Sequence, residues 1–185
     1  MNLKKLELQK ENCREKLLEY LNGEIFHLRP YQDFEKIISS GHLQNSKDGN
    51  YSASPSSDNS FGGNQGYICL FDLINQSNEN INNGIARYNF ILPGWFKSIH
   101  ETYNEYNLCY FILNRNIYGE LIPNEEGRKQ HEKTGENYIP HIEVWHPTKI
   151  NLKDISKVLI VKITEAFHNN NSFGRAMELI KKKNA

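Results

Sequence analysis

The chain has 185 residues, and its 22 Lys+Arg are balanced by 22 Asp+Glu. That length suits one domain with a sizeable core, and neutrality removes the long-range attraction on which a dedicated nucleic-acid binder depends. No stretch approaches the roughly 20 apolar residues that cross a bilayer, and the charged start MNLKKLELQKENCREKLL has no apolar core of signal-peptide length, so no membrane contact and a cytoplasmic location are expected.

The first predicted element is a helix over 2–22. Leu3, Leu6, Cys13, Leu17, Leu18 and Leu21 make an interrupted stripe, and Gly23 follows its end. A strand follows at about 24–28. Pro30 then suits the first turn of a second helix, with Phe34, Ile37, Ile38 and Leu43 as its buried side and Gly41 closing it. Residues 44–66 are polar and rich in Ser, Asn and Gly, a length of loop that often serves binding. Apolar runs predict further strands at 67–71, 86–92, 107–113, 141–145 and 157–163. The segment 95–106 is a short helix or irregular, and 114–140 is a second long polar connection. Asn clusters at 75–83 and 169–171 favour turns. Ser172 caps a last helix over 173–183, whose lysines Lys181, Lys182 and Lys183 suit a helix C-terminus. The order predicts a single α+β domain: an N-terminal helix (1–22), a core (24–163) and a C-terminal helix (172–183).

Few residues carry chemistry. The cysteines, Cys13, Cys69 and Cys109, are odd in number and lack metal or redox spacing; Cys69 and Cys109 sit in apolar runs as ordinary buried thiols. His141 and His146 would point to opposite faces of a strand, so no metal site is expected. No phosphate loop, nucleophile elbow or dinucleotide fingerprint occurs. What remains is His27 between Phe26 and Leu28, next to Arg29, and Glu143 among Ile142, Val144 and Trp145. A lone strand His such as His27 is more often a satisfied core or surface residue, and its functional reading rests on its place at the end of the strand beside Arg29 and Pro30. Arg29 can grip a phosphate or carboxylate in two-pronged fashion or pair with a surface acid. Glu143 shares a strand face with Trp145, which argues for burial, and a carboxylate so placed can stabilise an oxocarbenium-like transition state.

In this order and spacing, FHLRPYQDFEKIISSGHL, then GYICLF, then HIEVWHPTKINLKDISKVLIV resemble the ADP-ribosyltransferase fold, particularly the DarT-type toxins, over about 24–163. The resemblance implies a split, strongly bent sheet whose cleft takes NAD as substrate. It implies that His27 bonds the nicotinamide-side ribose, that Tyr67 or Phe71 stacks on or borders the nicotinamide, and that Glu143 is catalytic. By the same comparison the 44–66 loop covers the adenosine or phosphates through Tyr51 and Ser54. Arg29 and Arg87 both qualify for the NAD phosphates, and Arg29 is preferred for its nearness to His27. Family members that modify arginine often carry Glu or Gln two residues before the catalytic Glu; here that position is His141, which leaves nucleobase, other side-chain and small-molecule acceptors open.

The resemblance thus implies a glycosyltransferase-class enzyme, a toxin or defence effector. Its partners would be NAD, a macromolecular acceptor (protein or nucleic acid) and an antitoxin. An NAD glycohydrolase is a variant of this reading. The alternative is a non-catalytic binding or interaction module on the same fold, with His27 and Glu143 merely structural. The two readings part at one point. The enzyme requires His27 and Glu143 to serve a single cleft, whereas placement on opposite faces of the sheet favours the module.

Overall fold

The computed structural model describes residues 1–46, 48–49, 51, 59–91 and 108–164. It is an α+β fold around a six-stranded sheet. In chain order the elements are β1 (Asn2–Gln9), α1 (Cys13–Leu21), β2 (Ile25–Pro30), α2 (Phe34–Ser40), β3 (His42–Leu43), α3 (Phe61–Gln65), β4 (Ile68–Asp72), α4 (Asn78–Arg87), β5 (Leu108–Leu113), α5 (Asn124–Thr134), β6 (Glu143–His146), β7 (Ile150–Asn151) and β8 (Ile155–Thr164). Short 3-10 turns occupy Tyr31–Asp33, Arg115–Glu120 and Leu152–Asp154. The sheet order is β1-β8-β5-β2-β4-β6, and β3 pairs with β7 in a separate ribbon.

All six residues of β2 and of β5 are buried; β5 reads accordingly as a continuous apolar run, whereas β2 carries the buried polar side chains of His27 and Arg29. Alternation sends Phe26, Phe71 and Tyr110 into a core closed by Leu17 and Leu21 of α1 and Ile81 of α4. Their neighbours Ile25, Leu70 and Phe111 enter a second core with Ile37 of α2, Leu43 and Ile150. Phe26 anchors the first, its ring centroid 5.5 Å from that of Phe71 and 5.8 Å from both Phe90 and Tyr110. Each such side chain contributes about 1.5–3 kcal/mol on leaving water. Gly41 ends α2 at φ 78°, its N–H reaching the carbonyls of Ile37 and Ile38 as the sequence led one to expect.

Three expectations are corrected. Residues 2–9 are not the start of a helix but an edge strand, parallel to β8 from Asn2↔Lys157 to Gln9↔Thr164; only 13–21 is helical. The strand expected at 86–92 is displaced by α4, whose first turn is capped by Ser77 accepting from the Asn80 N–H, and residues 88–91 pair with no strand. The connections at 44–66 and 114–140 carry α3 and α5. The segment 95–106 and the helix at 172–183 lie outside the described residues. Among those described, no helix is long and apolar enough to cross a membrane.

Candidate functional site

Strands β2 and β4 lie next to each other but share only two residue pairs, Ile25↔Asp72 and Phe26↔Phe71. On their other sides β2 pairs with β5 over five residues and β4 with β6 over four. His27 stands where the two strands part. Its Nδ1 donates to the carbonyl of Cys69 at 2.7 Å, and its Nε2 accepts from the Arg29 Nε–H at 2.9 Å. This fixes a neutral ring with the proton on Nδ1. Burial, and next the charge of Arg29, push its pKa down to about 3. With both nitrogens occupied and 7 % of its surface exposed, His27 has no donor left for a ribose hydroxyl.

Arg29 is itself buried. Its guanidinium lies 4.8 Å from the ring centroid of Tyr51 and donates to the Gln44 carbonyl and the Ser46 hydroxyl. Burial opposes its charge, while the nearby Asp33 carboxylate supports it. Tyr51 is therefore a lid over Arg29, 7 % exposed; Ser54 lies outside the described residues.

Glu143 opens β6. Its Oε2 accepts the Ile139 N–H at 2.7 Å, and the Cys69 thiol and the Trp145 indole N–H lie near the carboxyl. Burial raises its pKa to about 7, partly offset by the Ile139 amide. The turn before it is clamped by Asn124, whose Nδ2 donates to the carbonyls of Ile139 and Glu143 and whose Oδ1 accepts from the His141 N–H. His141, at φ 70°, belongs to that turn rather than to the strand.

The register decides how these groups relate. His27 is opposite Phe111 in the β2/β5 ladder, and Glu143 is opposite Phe71 in the β4/β6 ladder. Phe71 shares a face with Phe26, the neighbour of His27, so His27 and Glu143 face opposite sides of the sheet. Arg29 and Tyr51 gather with His27. Tyr67 is half-buried, edge-on to Phe61, and Phe71 stacks on Phe26 and Tyr88 within the core. What joins the two sides is Cys69, which gives its carbonyl to His27 and keeps its thiol near Glu143; burial and that carboxyl drive the thiol pKa well up.

One opening was not anticipated from the sequence. A cavity of about 430 Å³ is lined by His42, Gln44, Asn45, Asp48, Thr148 and Lys149, among others. Asn45 fixes its rim by donating to the Gly66 carbonyl and to Asp48. Gln44 belongs both to this wall and to the contacts of Arg29. The residues are brought together by the β3/β7 pairing, a contact between distant segments with no local signal. No family model matches this chain, and no curated protein or solved structure does either.

Proposed function

We propose that this chain is a binding module for a nucleotide-like anion, with His27 and Glu143 in structural roles. The observation that carries this reading is the occupation of both His27 nitrogens by Cys69 and Arg29, on the face of the sheet away from Glu143. His27 then acts as a strut that orients a buried guanidinium. Next to it, the cavity offers the ammonium of Lys149 as its cation, set against the Asp48 carboxylate that Asn45 engages, with His42 and Gln44 bonded to each other in the wall, and its volume falls within the range of small-molecule sites. Thermal unfolding in the presence of NAD, ADP and inorganic phosphate tests this. A ligand at 100 times its dissociation constant should add about 2.7 kcal/mol of stability, a rise of several degrees that Lys149→Ala abolishes. No rise with any of the three refutes the module as described.

A second reading, ADP-ribosyl transfer from NAD, is favoured by one feature: the parting of β2 and β4 after two residue pairs, in keeping with the split sheet that the sequence resemblance implies. In that reading Glu143 holds a ribose hydroxyl and stabilises the oxocarbenium as nicotinamide leaves, and the acceptor is a macromolecule or water. It requires Glu143, 6 % exposed here, to reach the nucleotide. Nicotinamide release from NAD by the protein beside Glu143→Ala, with cell lysate as the source of acceptor, separates the two. A loss on the order of 10²-fold or more in the variant supports the enzyme. Ligand-induced stabilisation without turnover leaves the binding module alone.

A further inference from the structure

His146 closes β6 and is 4 % exposed, a second buried imidazole whose partners differ in kind from those of His27. His27 faces one acceptor, the Cys69 carbonyl, and one donor, the Arg29 Nε–H, and a neutral ring satisfies both. His146 faces two acceptors. Its Nδ1 lies 2.7 Å from the Thr148 carbonyl oxygen, and its Nε2 lies 3.5 Å from Oε2 of Glu120. Two acceptors call for two N–H groups, which only the imidazolium has. A replacement donor stands at one nitrogen alone: the Thr148 N–H, 3.3 Å from Nδ1. The proton that leaves most readily is therefore the one on Nδ1. Nε2 keeps its proton against the carboxylate, and Nδ1 turns to accepting from the Thr148 N–H. The Thr148 carbonyl oxygen, 2.7 Å away, then faces a ring lone pair and has to turn aside. The peptide that turns joins Thr148 to Lys149; both line the cavity, and Lys149 is its cation.

We propose that His146 is a proton-operated latch on the wall of this cavity: its imidazolium holds the Thr148 carbonyl and sets Lys149 for an anion, and loss of the proton releases both. The regulation of binding rests on the anion-binding reading given above, whereas the latch itself does not. Neighbouring elements bring few rival charges to the ring. Strand β4 sets Ile68 opposite it. The Arg115–Glu120 turn brings Glu120, with Arg115 at its far end and Tyr118 between them. The cavity wall adds His42 from β3, Asp48 and Lys149. Among the described residues, Glu120 is the acid within 4.0 Å of the imidazole. Its carboxylate favours the imidazolium, and at 63 % exposure it can return to water without cost to the core.

Nuclear magnetic resonance of the full chain between about pH 5 and 8, the range in which imidazoles change charge, tests the latch. The Thr148 and Lys149 amides should shift with a single midpoint that matches the His146 ring, and His146→Gln should abolish that step. Glu120→Gln, at an exposed position, should move the midpoint to lower pH. Calorimetric titration with NAD, whose own charge is constant over this range, measures the regulation. Binding should be about threefold or more weaker at the upper limit than at the lower, the worth of roughly one hydrogen bond, with no such difference in His146→Gln. Amides that stay still while the ring titrates overturn the latch. So does a midpoint indifferent to Glu120→Gln, which decides the matter should His146→Gln fail to fold. NAD bound equally tightly at both limits overturns the regulation. Amides that titrate as described without NAD binding at either limit strike at the anion-binding reading alone and leave the latch standing.

Discussion

At the scale of single residues, His27 and Glu143 impose opposite dependences on pH. His27 titrates at about 3 in the fold and near 6.5 when unfolded. Between these values the unfolded chain binds the extra proton, so the stability His27 lends is whole above about 6.5 and is lost as pH falls toward 3. Glu143 titrates at about 7 in the fold against 4.5 for a free side chain. Here the folded chain holds the extra proton, and stability declines as pH rises from about 4.5 to 7. From about 4.5 to 6.5 the two slopes, each about 1.4 kcal/mol per pH unit, cancel. The unmodified protein should therefore show little pH dependence from these groups in that window. Glu143→Gln should gain stability as pH rises through it, and His27→Gln should lose stability. Urea unfolding at pH 5 and pH 6.5 measures both, and slopes of the same sign would contradict the titrations assigned here.

At the scale of elements, Trp145 is the piece that α3 and α5 grip. A Cβ added to Gly62 would overlap the Cys69 sulfur and the Trp145 ring, and one added to Gly127 would overlap the far edge of the same ring. The indole is fully buried between them and cannot yield to either. Gly62→Ala and Gly127→Ala should each cost about 1–3 kcal/mol. Gly84→Ala in α4 meets chiefly the Cδ1 end of Ile142, which can rotate, and gains roughly 1 kcal/mol of helix propensity, so its net cost should be smaller. Thermal denaturation of the three variants ranks them, and Gly84→Ala as the worst would refute this packing account. The same contacts explain what the sequence left unread. In α5 the buried position is Gly127, so no apolar stripe marks the helix. In α4 the asparagines argue for a turn, but Ser77 and the packing of Ile81 outweigh that weak preference. Over 2–9, Leu3 and Leu6 fit a helical spacing while Leu6 and Leu8 fit a strand, and only the pairing with β8 settles the matter. The runs at β4, β5 and β8 were legible because buried strands need little but apolar residues. His27 and Glu143 were legible as individual buried groups. Their opposite orientation was not, because it depends on registers linking β2, β4, β5 and β6 across the chain.

At the scale of the whole molecule, β1 shields β8. Residues Val158–Ile163 are apolar except for Lys162, and β1 occupies the edge they would otherwise leave open. Removing residues 2–9 should therefore convert the chain into an aggregating species, measured by light scattering on gentle warming, whereas an unaltered soluble monomer would show that β8 needs no cover. The pairing also orders events in time. Asn2 waits for Lys157, and at about 5–20 residues per second a ribosome takes roughly 10–30 s to supply it. Throughout that interval Leu3, Leu6 and Leu8 trail from the nascent chain with no strand to join. Lys4, Lys5 and Lys10 sit among them, and their charge keeps the waiting segment soluble and apart from the same segment on neighbouring ribosomes.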